Sequence, residues 1–198
     1  MAIRKLSNSS IITGTKSSKF WDQETFPGYF ESIATNILGS NQTTISFSSI
    51  PQIYTHLQVR VTARMNRADN ADNITVIFNS DSGSNYSWHN MRGDGTSPGT
   101  ENSGSNASLI CINDITANSA TSSIFGAATI DILDYRNESK YKSLRALAGN
   151  DRSGSGGVNI SSGSWRSYNA ITTITFGALY GSGILAGSHF ALYGIRSA

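Results

Sequence analysis

The chain has 198 residues, a length that fits one domain, and a folded domain of this size is stable without disulfides or bound metal. Hydrophobic residues make up 38% and charged residues 14%, both below the roughly 45–50% and 25% of average globular domains, which disfavours a helix bundle and favours short strands joined by turns. The net charge of +2 gives no indication of nucleic-acid binding, and the sequence shows neither a membrane-spanning apolar run nor a signal peptide.

Residues 1–28 are predicted to form an extended N-terminal arm, because they show neither helical nor strand periodicity and are rich in Ser, Thr and Asn. All positive charges of the arm precede its first acidic residue, and three aromatic residues lie towards its end. We expect the arm to bind a partner through these seven residues: Arg4, Lys5, Lys16, Lys19, Phe20, Trp21 and Phe26. The alternative is that the aromatic side chains fold back over the edge of the domain's own sheet.

Residues 29–198 are predicted to form one all-β domain. The clearest strand is 56–64, where Leu57, Val59 and Val61 alternate with polar residues that run from His56 to Arg64 on a solvent-facing side. Further apolar, β-branched runs predict strands at 29–38, 43–47, 73–78, 108–112, 124–133, 141–147, 157–160, 170–176 and 184–195. Turn-forming residues predict loops at 79–85, 93–104 and 149–157. Roughly ten strands at this spacing favour an antiparallel, jelly-roll-like β-sandwich.

Three carboxylates, Asp131, Asp134 and Glu138, are candidates for a glycosidase pair, since such enzymes place two carboxyl groups across a sugar site. Ion pairs with Arg136, Lys140 or Arg145 explain them more simply. The Asx-rich segments 69–73 and 79–85 gather oxygen ligands for calcium, but neither has the EF-hand pattern, and such turns form without metal. The sequence therefore predicts neither an enzyme nor a cofactor or metal site.

The remaining reactive side chains are interpreted as structural. His56, His89 and His189 lack a metal-ligand spacing, and His56 and His189 fall at strand positions. Cys111 is the single cysteine and lies in an apolar run, which indicates a small strand residue in a protein made in a reducing compartment.

Several phrases resemble a family of small virion structural proteins of tailed phages of cyanobacteria and other aquatic bacteria. They span nearly the whole chain: 18–22 (SKFWD), 29–35 (YFESIAT), 47–51 (FSSIP), 54–60 (YTHLQVR), 78–86 (FNSDSGSNY), 130–135 (IDILDY) and 190–195 (FALYGI). The resemblance implies a virion component, and a capsid decoration (cement) protein fits best. Its expected partner is the major capsid protein or another virion subunit, bound through the arm at the capsid surface, and a homotrimer is expected because joined arms multiply weak contacts.

The alternative interpretation is a receptor-binding module of a tail fibre or knob. In that case Tyr86, Trp88, His89 and Trp165 would stack on host glycans. Jelly rolls occur in both capsid and lectin domains, so the fold class does not decide between the two. A surface glycan hydrolase that uses Asp131 is a third, weaker interpretation.

Overall fold

The structure, a computed structural model, describes residues 29–96 and 98–196. The predicted arm, 1–28, and its seven partner-binding residues lie outside the described residues. The described part contains no helix, and therefore none that could cross a membrane. Its strands are β1 (Phe30–Ile37), β2 (Thr44–Phe47), β3 (His56–Ala63), β4 (Ala71–Phe78), β5 (Tyr86–Gly93), β6 (Pro98–Ala107), β7 (Ile110–Thr116), β8 (Gly126–Leu133), β9 (Lys142–Asp151), β10 (Gly156–Trp165), β11 (Ile174–Ala178) and β12 (His189–Ile195).

The strands form two antiparallel sheets, which confirms the predicted all-β, antiparallel architecture. The large sheet has the order β1-β12-β3-β8-β9-β10-β5-β6, and the small sheet has the order β2-β11-β4-β7. Strand β7 of the small sheet packs on β5, β8, β9 and β10 of the large sheet. The core lies between the sheets, where the inward side chains of both are removed from water.

Strand β3 shows how the alternation of the sequence positions the core. Leu57, Val59 and Val61 are buried between the sheets, as predicted, and Arg60 is exposed on the outer face. Arg64 was expected on the same outer face, and this prediction is wrong. The strand ends at Ala63, and the Arg64 side chain turns inward to bind backbone carbonyls of the β7–β8 loop.

Two predicted loops contain strand. Most of 93–104 belongs to β6, which pairs with β5 at the edge of the large sheet. In 149–157, β9 continues to Asp151 and β10 starts at Gly156. Gly149 lies within this hairpin because a Cβ there would lie 2.9 Å from the Gly157 carbonyl oxygen. Turn-type composition misled the prediction, because edge and hairpin strands are held by backbone hydrogen bonds that any residue except proline donates.

Candidate functional site

Strand β10 inverts the usual arrangement of polar and apolar side chains. Val158 and Ile160 point to solvent and are 58% and 53% exposed, whereas Asn159 and Ser161 are fully buried between the sheets. The Ser161 hydroxyl lies 2.8 Å from Asn159 Oδ1, so the buried polar groups partly satisfy each other. Placing the apolar residues outside loses burial free energy, and placing the polar ones inside requires hydrogen bonds.

The inversion extends to the neighbouring strands and creates an apolar patch, defined as Met91, Leu147, Val158 and Ile160. Met91 on β5 and Leu147 on β9 are directly opposite Ile160 in the strand register, and both are 56% exposed. Directly paired residues in antiparallel strands point to the same face, so these side chains form a continuous row on the outside of the large sheet.

A shallow depression of about 460 Å³ adjoins the patch and is lined mainly by apolar atoms. It is lined by Leu147 and Val158 of the patch and by small residues of β8, among them Ala127 and Thr129. Charged groups lie beside this apolar centre: Arg60 lines the depression, and Arg145 donates to Asp131 on the same sheet face at 3.0 Å. An apolar centre with a polar rim is the composition of a protein interface.

The structure separates Asp131 from the other two candidate carboxylates. Asp131 lies on the outer sheet face, where Gln58 and Arg145 both donate hydrogen bonds to it. Asp134 and Glu138 lie in the loop after β8 and line a cavity of about 550 Å³. Asp134 is paired with Lys140, whose ammonium lowers the pKa of this carboxyl, and its backbone N–H donates to His56 Nδ1 at 2.9 Å.

The chain has no significant match among protein-family models, curated proteins or solved structures. The candidate site is therefore judged by its own geometry.

The Asx-rich segments use their carboxylates within the protein. The buried Asp72 accepts hydrogen bonds from the backbone N–H groups of Asn73, Tyr180 and Gly181. Asp81 accepts from the Gly83 N–H, from Asn85 and from Trp165 Nε1. Over the ranges 29–96 and 98–196, no group of three His, Cys, Asp or Glu side chains is placed to hold a metal ion.

The hydrogen bonds to Asp81 predict that this carboxylate contributes to how the stability of the fold depends on pH in acid. The Trp165 indole N–H, with Asn85 and the Gly83 N–H, lowers the pKa of Asp81 below its ordinary value. A carboxyl whose pKa is lower in the folded state stabilises the fold above its unfolded pKa, near 3.9, and this contribution is lost as the pH falls through the folded value. We expect Asp81→Asn to flatten part of the decline in unfolding free energy below about pH 4.

Urea unfolding at a series of pH values measures this effect. Trp165→Phe removes the indole N–H donor to Asp81, so it should also make the decline in unfolding free energy less steep over the same pH range. If the unfolding free energy of Asp81→Asn falls with pH as steeply as that of the unmodified chain, the assigned role of Asp81 is wrong.

Two of the four residues proposed to stack on glycans are inside the core, so that prediction is wrong for them. Tyr86 is fully buried and Trp165 is 2% exposed, and their rings stack 6.3 Å apart. Both pack against Phe78 from the small sheet. Trp88 is half-buried against the core, and His89 is exposed on β5. Large aromatic side chains in a strand serve the core when their alternation points them inward.

The other residues interpreted as structural lie within the sheets. His56 and His189 begin β3 and β12, as their sequence position predicted, and Cys111 is buried on β7, where its thiol contacts Asn113 Oδ1 at 3.1 Å. The sequence analysis missed the apolar patch, although it identified 157–160 as an apolar strand. The missing information was direction: a strand pattern has two faces, and the pattern alone does not say which one is buried.

Proposed function

We propose that this protein is a non-catalytic structural subunit that binds other proteins through the outer face of its large sheet, and that it serves as a decoration protein on a tailed-phage capsid. The inverted alternation of β10 carries this proposal. It exposes Val158 and Ile160 where burial would stabilise the monomer, and an exposed apolar face of this kind serves binding.

The strand order supports a jelly-roll assignment. Without the hairpins β5–β6 and β9–β10, which widen the large sheet, eight strands remain in two sheets, β1-β12-β3-β8 and β2-β11-β4-β7. Each connection then passes to the opposite sheet, except the one from β4 to β7. Two four-stranded sheets connected in this manner correspond to the jelly roll found in viral capsid and lectin domains. The virion assignment itself rests on the sequence phrases that resemble phage structural proteins.

The arm precedes β1 in the sequence, and β1 is an edge strand of the sheet that carries the patch. The arm is joined to the chain at Tyr29, directly before the edge strand β1, and the patch lies on β5, β9 and β10. We propose that the arm binds the major capsid protein or a neighbouring virion subunit, while the sheet face packs against the shell. Exposed ion pairs contribute only about 0–1 kcal/mol each, so apolar contacts, those of the patch together with the arm's Phe20, Trp21 and Phe26, must supply most of the affinity of one copy. A homotrimer would multiply it.

Co-sedimentation with phage shells that lack the protein tests this function. The full chain should bind at a stoichiometry near that of the shell subunit, whereas the double variant Leu147→Thr/Ile160→Thr should bind at least roughly tenfold more weakly. Threonine is suited to strands, so the fold should persist. Ile53→Thr is the matched control, because Ile53 is 55% exposed but lies in the loop between β2 and β3.

A version that starts at Tyr29 separates the contribution of the arm from that of the patch. If it binds more weakly than the full chain, the arm contributes to docking, as proposed. If neither the full chain nor the short version binds shells, the decoration role is wrong. Equal binding by the patch variant and the Ile53→Thr control would show that the patch is not the contact. Sedimentation equilibrium of the free protein tests the trimer.

A second candidate function, glycan binding at the tip of a tail fibre, is favoured by a different observation. Tyr141 and Tyr168 are exposed side chains whose rings lie 4.9 Å apart. Lys142 joins their loops, since its ammonium binds the carbonyls of Lys140, Ser167 and Tyr168. Binding of host polysaccharide without shells, lost in Tyr168→Ala, would favour this function over decoration.

A further inference from the structure

A polar cavity of about 500 Å³ lies at the edge of the sandwich, where three separate segments each contribute an arginine. Arg67 comes from the β3–β4 loop, Arg92 from β5 and Arg152 from the β9–β10 turn. Asp69 and Asp114 also line the cavity, and Tyr180 lies at its wall. Among the described residues that line the cavity, three guanidinium groups stand against two carboxylates, an excess of one positive charge for these residues.

Two of the arginines are held in place by contacts within the protein. Arg67 Nη2 lies 3.0 Å from Asp69 Oδ2, and its guanidinium lies 4.6 Å from the ring centroid of Tyr180. Arg92 Nε donates to Asp114 Oδ2 at 2.5 Å. Gly157 packs against this second pair, since a Cβ there would come within 2.6 Å of Asp114 Oδ2. The cavity wall is thus fixed by a charge pair, a cation–π contact and a glycine required by close packing.

Arg152 differs from the other two arginines. Its Nε is buried and has no hydrogen-bond acceptor among the residues that the structure describes. A buried donor without an acceptor destabilises a fold, and more so when the group is charged. An anion held by the guanidinium group of Arg152, which lines the cavity, would balance the excess positive charge of these residues.

We propose that this cavity binds a tetrahedral oxyanion, a phosphate or sulfate group, with Arg152 as the principal ligand and Arg67 and Arg92 as its flanking cations. Planar guanidinium groups recognise phosphate through parallel N–H donors, and three of them on different segments suit an anion with oxygens on several sides. The cavity has the size of small-molecule sites, about 300–1,000 Å³, and so has room for a sugar that carries the anionic group. Arg92 follows Met91 of the apolar patch on β5 and points to the opposite face of the strand, so the cavity and the patch are separate surfaces, and the site does not depend on the proposed structural role.

Calorimetric titration of the full chain with inorganic phosphate, inorganic sulfate and glucose 6-phosphate, at constant ionic strength, tests the site and distinguishes a free ion from an anionic sugar. NMR of the arginine Nε–H groups reports the contact directly. We expect saturable binding that shifts the Arg152 Nε–H resonance. Tighter binding of the sugar phosphate would identify the sugar as the natural carrier, and equal binding would identify the free ion.

Two variants of opposite expected effect sharpen the test. Arg152→Gln should weaken binding by roughly tenfold, because it removes a charge-assisted hydrogen bond. Asp69→Asn should strengthen binding, because it removes the carboxylate that competes for Arg67. Arg145→Gln is the matched control, since Arg145 lies on the outer sheet face, and it should leave the affinity unchanged. The proposal is overturned if no anion binds saturably, or if Arg152→Gln and Arg145→Gln bind equally well.

Discussion

Replacing Trp165 with alanine is expected to cost about 3–5 kcal/mol of unfolding free energy, the range found for large aromatic-to-alanine changes in cores. Trp165 ends β10 and is 2% exposed, and its ring packs against Phe78 at 5.6 Å and against Tyr86. Phe78 belongs to the small sheet and the other two belong to the large sheet, so this cluster joins the two layers. Its removal leaves a cavity at their contact.

The indole N–H adds a second contribution. It donates to Asp81 at 2.8 Å and thereby fixes the turn 79–85 that leads from β4 into β5. Trp165→Phe retains most of the packing but loses this bond, and we expect a smaller cost of about 1–2 kcal/mol. Urea unfolding followed by far-ultraviolet circular dichroism measures both changes.

Trp88→Ala is the matched control, because Trp88 is only half-buried and lies at the margin of the core. It should destabilise the protein clearly less than Trp165→Ala. If the two alanine variants unfold at the same urea concentration, the cluster around Trp165 does not have the role in joining the sheets that its burial indicates.

The fold class could be predicted from the sequence because most strands repeat a two-residue period that is read locally. The alternation around Leu57, Val59 and Val61 indicated both a strand and its buried face, and the structure confirms both. The edge strand β6 could not be predicted in this way. Its segment is rich in Ser, Gly and Asn, and it is a strand because β5 offers it backbone partners. Pairing between distant segments is not visible in local composition.

The candidate site was harder to predict than the fold. Val158 and Ile160 were recognised as an apolar strand, but a reader of the sequence assigns such residues to the core. Val158 and Ile160 point outward because the polar residues next to them occupy the inward positions of the strand. Asn159 and Ser161 on β10 and Asn90 on β5 form a buried polar layer that faces β7. The alternative receptor-binding interpretation placed Trp165 on a glycan-binding surface, although the inward face of β10 holds it in the core. Which of the two faces of a strand is buried depends on tertiary packing and not on the local sequence pattern.

Arg64→Ala is expected to destabilise the protein by about 3 kcal/mol or more, because it deprives four backbone carbonyls of a charged donor. The buried guanidinium binds the β7–β8 loop through both of its terminal nitrogens. Nη1 donates to the carbonyls of Thr121 and Ile124 at 2.7 and 2.8 Å, and Nη2 donates to those of Asn118 and Ala120 at 3.1 and 2.6 Å.

The effect should be local as well as global. The backbone of Arg64 keeps its own bonds, a donation to the Ser188 hydroxyl and an acceptance from the Leu185 N–H, so the end of β3 should remain in place. We expect hydrogen exchange to accelerate most between residues 118 and 124, where the lost carbonyl contacts lie. Arg64→Lys should recover only part of the stability, because an ammonium lacks the planar fork that reaches four carbonyls at once.

Arg60→Ala provides the matched control, since Arg60 lies on the same strand but is exposed, with its guanidinium over the rings of Phe30 and Tyr193 at 5.3 and 5.5 Å. Contacts of this kind contribute about 0.5–1 kcal/mol at exposed sites. Urea unfolding should therefore separate the two alanine variants by about 2 kcal/mol or more. Equal stability of the two, with no change in exchange across the β7–β8 loop, would mean that water replaces the guanidinium at these carbonyls and that Arg64 is not the residue that anchors the loop.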